Sequence, residues 1–187
     1  DGAVDAEARR RGQTMYLPDG RVPLHPPVLS EGSLSLLPDQ VRGAALWTVD
    51  VAADGSLGSA TVERALVRSV ARLEYATVQA DADAGSPHPS IEPLADLGRL
   101  RRAVRLAAGA IDLALPEQGV VRSGEEWTLR IEPRTEADTW NAEISLLTGM
   151  AAARLMLGAG IGVLRTLPEP SSETVEEFLT VARRLSV

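Results

Sequence analysis

The sequence predicts an α+β fold of antiparallel strands with packed amphipathic helices, on three observations. Leu46 to Val51 alternates apolar and polar residues, Asp54-Gly55 supplies a hairpin turn, and Thr61 to Val67 returns as a second strand. Trp127 to Ile131 alternates in the same way. Three segments instead repeat apolar residues at helical spacing: Leu97, Leu100, Val104, Ala107 and Ile111; then Trp140, Ile144, Leu147 and Ala151; then Val175, Phe178, Ala182 and Leu185. Strands and helices mixed without an internal repeat give a sheet with helices packed on it.

The elements follow in order. Residues 1–12 carry a short helical pattern that Gly12 stops. Residues 13–43 hold Pro18, Asp19-Gly20, Pro23, Pro26, Pro27 and Pro38, and read as ordered loop with short extended pieces. After the hairpin, residues 69–80 read as helix, and residues 81–91, rich in Asp, Gly, Ser and Pro, as a mobile loop. The last helix places Glu173, Glu176 and Glu177 early and Arg183 and Arg184 late, in keeping with its dipole.

Composition narrows the function classes. With 187 residues, 44% hydrophobic and 24% charged, the chain suits one folded domain or a large part of one. No apolar run approaches the ~18 residues of a membrane span; the greasiest stretch, Ile144 to Val163, is broken by Arg154 and glycines. No signal-peptide pattern is present, so a cytoplasmic protein is expected. The start at Asp1, without Met, suggests that an upstream segment has been removed. The absence of cysteine excludes disulfides and thiolate metal sites. His25 and His88 both neighbour prolines in loop-like sequence, which disfavours a histidine metal cluster or a Ser/His triad. A net charge of −7 counts against nucleic-acid binding by the surface as a whole and leaves room for a local basic groove. All 19 basic residues are arginine, a bias of GC-rich coding rather than of function.

Five blocks of sequence then point to a family. They are Asp5-Ala6-Glu7-Ala8-Arg9-Arg10-Arg11-Gly12; Tyr16-Leu17-Pro18 with Val22-Pro23-Leu24-His25-Pro26, Leu29-Ser30 and Ser35-Leu36; Ser69-Val70-Ala71-Arg72-Leu73-Glu74-Tyr75; Glu132-Pro133-Arg134 followed by Leu146 through Arg154; and Leu164-Arg165 with Pro168 and Pro170. In this order and spacing they resemble the catalytic domain of the ribonuclease II / ribonuclease R (RNB) exoribonucleases, from residue 4 to about residue 170. The resemblance covers the middle of that domain. The family's aspartate cluster, which holds catalytic Mg²⁺, corresponds to sequence upstream of Asp1. The family's later Arg-rich element corresponds to sequence beyond Val187. The chain is therefore expected to be a partial catalytic domain, inactive alone, with the remainder of the same domain as a partner.

The resemblance also implies site residues. Tyr75 matches a tyrosine near the scissile nucleotide that helps select RNA over DNA, since a phenol can hydrogen-bond a 2′-hydroxyl; the alternative is a helix tyrosine packing its ring. Tyr16 matches a tyrosine that stacks on RNA near its 3′ end; the alternative is an anchor for the Pro-rich segment. A second stacking aromatic, usually Phe, has no counterpart, because the lone phenylalanine is Phe178 in the last helix. Ala142 stands where the family has a ribose-recognising Glu. Glu143 is a possible substitute, but adjacent helical residues diverge by about 100°, so it is read as structural or on the solvated surface. Arg134, Arg165 and Arg9 to Arg11 are candidate phosphate contacts, each with a solvated or ion-paired alternative. Asp1, Asp5, Asp81 and Asp83 fit no metal site by spacing, so no metal ligand is assigned within the chain.

The implied activity is metal-assisted hydrolysis of single-stranded RNA from its 3′ end, releasing nucleoside 5′-monophosphates. This chain would supply channel wall and ribose recognition rather than metal ligands. The rival readings are a catalytically inactive RNB-like RNA-binding module and an acidic protein-interaction domain. A salt titration of RNA binding separates these two.

Overall fold

The computed structural model describes residues 2–113, 115–164, 166 and 168–185. They form two compact units, 1–151 and 152–187. The α+β architecture expected from the sequence is present.

Helix α1 (Ala3–Arg11) ends at Gly12, whose φ of 73° and N–H bond to the Ala8 carbonyl at 2.8 Å make it the expected stop. The Pro-rich segment contains the small hairpin β1 (Met15–Leu17) and β2 (Gly20–Val22), then a single π-helical stretch at Val28–Ser33. The long hairpin runs further than its apolar alternation: β3 spans Val41–Val51 and β4 Leu57–Arg68, antiparallel, with Thr48 opposite Thr61. Its turn closes as expected. Gly55 takes φ 81°, and the Asp54 carboxylate accepts the Ser56 N–H at 2.9 Å.

Helix boundaries differ from the sequence reading at both ends of the helix expected over 69–80 and at the end of the next, which stops at Ala107 and leaves Ile111 exposed outside it. Residues 69–74 are not helical, and α2 spans Tyr75–Asp83, preceded by Glu74 in an extended conformation. The Ser69 carbonyl accepts the Asp39 N–H at 2.8 Å, which ties this stretch to the segment before β3. The residues expected to be loop are helix as far as Asp83, and Pro89–Ile91 forms a 3₁₀ turn capped by His88 Nδ1, which accepts the Ser90 N–H. Helix α3 (Leu94–Ala107) follows. A strand that the sequence did not signal, β5 (Glu117–Ser123), pairs with β6 (Glu126–Glu132) through a turn at Gly124.

Helix α4 (Glu136–Ala159) centres the core. Ala137, Trp140, Leu147 and Ala151 are buried, with Glu143 on the same stripe. Gly98 of α3 lies directly on Trp140, because a side chain there would meet the Trp140 Cα at 2.7 Å. On its other side α3 meets the hairpin turn, where Arg101 donates to the Gly55 carbonyl and Leu100 and Val104 lie close to Gly55. At 24 residues and a windowed mean hydropathy of 1.2, α4 is long and apolar enough by length and composition to cross a membrane, contrary to the expectation that no stretch qualifies.

In the second unit, Gly160 and Gly162 turn the chain at positive φ after α4, and a side chain at Gly162 would collide with Met156. Helix α5 (Ser172–Arg184) starts at the Ser171 hydroxyl, which accepts the Thr174 N–H at 3.2 Å. Its Phe178 is exposed.

Candidate RNA-binding cleft

Two side-chain contacts, each one helical turn from the other, fix α2 against the start of α4. Gln79 Oε1 accepts the Ala137 N–H at 3.0 Å, which satisfies one of the unpaired amides at the helix start. One turn along both helices, Asn141 Nδ2 donates to Tyr75 Oη at 2.9 Å. Residues 75 and 79, and residues 137 and 141, lie four apart, so each pair shares a helix face. The Thr135–Asp138 cap orders the approach to α4: Asp138 Oδ2 accepts from Thr135 N at 2.8 Å and from Thr135 Oγ1 at 2.6 Å.

This register opens a cleft of about 460 Å³ between Arg72–Tyr75, Val78, Ile91, Leu94 and the first turns of α4. That size suits a small ligand or one nucleotide. Tyr75 is 48% exposed at the cleft, and Arg72 pairs with Glu74 at 3.4 Å on its rim. The phenol can donate a proton, and the Asn141 amide offers both a donor and an acceptor.

The other sequence-predicted residues are not gathered at this cleft. Tyr16 is 76% exposed on β1, opposite Arg21 of β2, and does not line the cleft. Arg134 is exposed, and its charge helps, after Arg102, to hold the Asp112 carboxyl below the usual carboxylate range. Arg165 lies outside the described residues. Arg9, Arg10 and Arg11 are engaged with carboxylates: Arg9 meets Asp5 at 3.2 Å, and Arg10 and Arg11 hold Glu7 at 2.6 and 2.8 Å. These hydrogen bonds pull the Glu7 carboxyl down to about 2. Among the described residues, no three His, Cys, Asp or Glu side chains converge, so the residues present do not fit a Mg²⁺ site.

Glu143 departs from the solvated reading. It is 1% exposed, and its Oε1 accepts from Arg105 Nε at 2.9 Å, with Arg105 Nη2 at 2.8 Å. Burial on the α4 core stripe explains this, because a carboxylate is kept there only with a charged partner. The bond to Glu143 raises the Arg105 pKa further. Arg102 bonds Asp112 at 2.9 Å and is the chief cause of the lowered Asp112 pKa. Ala142 is half-buried and brings no polar group. Sequence reasoning missed Asn141, Gln79 and Arg105, whose contacts lie 66, 58 and 38 residues away along the chain.

Comparison with known proteins shows the family. The RNB domain family matches residues 1–186. The chain is 30% identical to an uncharacterised ribonuclease (sll1290) of Synechocystis, over 95% of this chain and 27% of that protein. It is also 30% identical to ribonuclease R of Escherichia coli, over 98% of this chain and 24% of that protein. It thus spans about a quarter of the length of these relatives. Its fold matches part of Mycoplasma genitalium RNase R, solved in complex with double-stranded RNA, with a TM-score of 0.86, 22% identity, and coverage of 99% of this chain and 35% of that one. The five ordered sequence blocks, the α+β fold and the match along residues 1–186 agree that the chain belongs to the RNB domain family and forms part of such a domain.

Proposed function

We propose that the protein carrying this segment hydrolyses single-stranded RNA from its 3′ end to nucleoside 5′-monophosphates, and that the segment contributes the wall of the RNA channel and a ribose contact at Tyr75. Membership of the RNB family supports the reaction class. The ribose contact rests on one observation: Tyr75 stands half-exposed in a cleft, its hydroxyl fixed by Asn141. A 2′-hydroxyl is what separates RNA from DNA at such a site. The family's Mg²⁺ supplies a polarised water and charge neutralisation when bound. No step is assigned to it here, because the described residues provide no ligand set. Tyr16 offers a stacking face, and Arg134 and Arg165 are phosphate contacts in this reading.

Tyr75→Phe keeps the ring and removes the hydroxyl. In the full-length protein it is expected to lower the ratio of RNA to DNA cleavage by about three- to tenfold, the worth of one neutral hydrogen bond. Parallel single-turnover time courses on matched RNA and DNA strands check this. An unchanged ratio removes Tyr75 from ribose recognition.

A second reading, an inactive RNA-binding or interaction module, is favoured by one feature. Helix α4 places no acidic side chain in the cleft, since Ala142 is apolar and Glu143 is buried on Arg105. RNA binding with a steep salt slope but no cleavage by the full-length protein would select it.

A further inference from the structure

Besides the Arg72–Glu74 ion pair on its rim, the polar side chains lining the cleft are Tyr75 and Asn141, which touch. Tyr75 Oη accepts the Asn141 Nδ2 hydrogen bond, so the phenol keeps its own proton for a third group. Chained hydrogen bonds polarise one another, which strengthens the phenol as a donor. The Asn141 carbonyl oxygen is then the acceptor beside it. Both residues are exposed. Helix α4 lines the cleft with Ala137 and Asn141, so Asn141 is its one polar contribution to that lining.

We propose that Asn141 is a specificity-determining residue that reads the ribose together with Tyr75. The phenol O–H donates to the 2′-hydroxyl oxygen, and Asn141 Oδ1 accepts the 2′-hydroxyl proton. This inference rests on the RNA reading of the cleft given above. A 2′-hydroxyl is both donor and acceptor, and the pair presents one complement to each. A deoxyribose leaves both groups without that partner, which is how a site built to hydrogen-bond a hydroxyl rejects the analogue lacking it. Asn141 acts on Tyr75 as well as on the substrate, because its amide fixes which way the phenol proton points.

The test is direct binding by the full-length protein, in EDTA to prevent turnover, to a labelled single-stranded RNA and to the DNA of the same sequence. Asn141→Leu keeps size and removes polarity. Asn141→Asp cannot donate, so its carboxylate accepts the phenol O–H hydrogen bond and takes it away from the ribose. Both variants are expected to lower the ratio of DNA to RNA dissociation constants about three- to tenfold. The thermal midpoint is expected to fall only slightly, because the Asn141–Tyr75 bond lost is an exposed one and Gln79 still holds the Ala137 N–H. The DNA affinity of Asn141→Leu should also stay level, which a merely structural role does not require. An unchanged ratio in Asn141→Leu overturns the proposal. If Tyr75→Phe lowers the ratio and Asn141→Leu does not, the Asn141 inference falls alone. If the unaltered protein does not distinguish RNA from DNA, the inference falls together with the ribose reading.

Discussion

Arg105→Ala is expected to destabilise the domain by about 3 kcal/mol, at the lower end of what breaking a buried ion pair costs. The asymmetry of the pair sets this value. The Glu143 side chain is 2% exposed, whereas that of Arg105 is 24% exposed. Removing the arginine strands a carboxylate that cannot reach water, and Glu143 Oε2 already has no hydrogen-bond partner. Asp112, which sits 3.6 Å from Arg105, keeps Arg102 at 2.9 Å and so loses little. The same reasoning requires that Arg105→Ala combined with Glu143→Leu recover most of the loss, because the stranded charge is then gone. Denaturant unfolding of the two single variants and the double variant measures this. Equal instability of Arg105→Ala and the double variant would show that the arginine contributes through packing and not through charge.

Gly98→Ala reverses the usual sign of a glycine-to-alanine change in a helix. Propensity alone favours alanine by about 1 kcal/mol inside α3. Position 98 has no room for the methyl group: it would lie 2.5 Å from Trp140 Cβ and 2.7 Å from Trp140 Cα. The second of these is backbone, so a rotamer change does not relieve the contact. Overpacking of this kind costs about 1–3 kcal/mol and more when backbone must move. A net loss of about 2 kcal/mol is expected, and a larger one for Gly98→Val, which adds volume without the propensity gain. Thermal unfolding checks the sign. A stabilised Gly98→Ala would mean that α3 and α4 approach less closely than the structure has them.

The two changes act on one arrangement. Helix α4 is held from two sides, by Gly98 and Arg105 of α3 and by Gln79 and Tyr75 of α2. Tyr75 reaches Asn141 only while α4 keeps that register.

How far the sequence anticipates this depends on the range of the interactions. The hairpin at 41–68 was legible because its turn chemistry is local and part of each strand alternates. Helix α4 was legible from Trp140, Ile144, Leu147 and Ala151, because burial of one stripe imposes that spacing. Strand β5 was not, since Glu117 to Ser123 is exposed throughout and carries no alternation. The start of α2 was placed too early because Ser69 is held by Asp39, a contact that helical pattern does not encode. For the cleft, Tyr75 was found through family resemblance alone. Asn141 was passed over because an exposed asparagine on a helix has no local signature. Glu143 was given to structure or the surface on the habit of charged helix residues, and its partner lies 38 residues away.

The central claim, that this segment is part of a 3′→5′ exoribonuclease, is tested most directly by a time course. The substrates are 5′-labelled single-stranded RNA and DNA with Mg²⁺, and the enzyme is the full-length protein, with the isolated 187-residue segment run beside it. Stepwise shortening of RNA from its 3′ end by the full-length protein, with DNA spared and the segment inert, is the expected result. Intact RNA in the presence of the full-length protein would contradict the exonuclease account and leave the binding-module reading in its place.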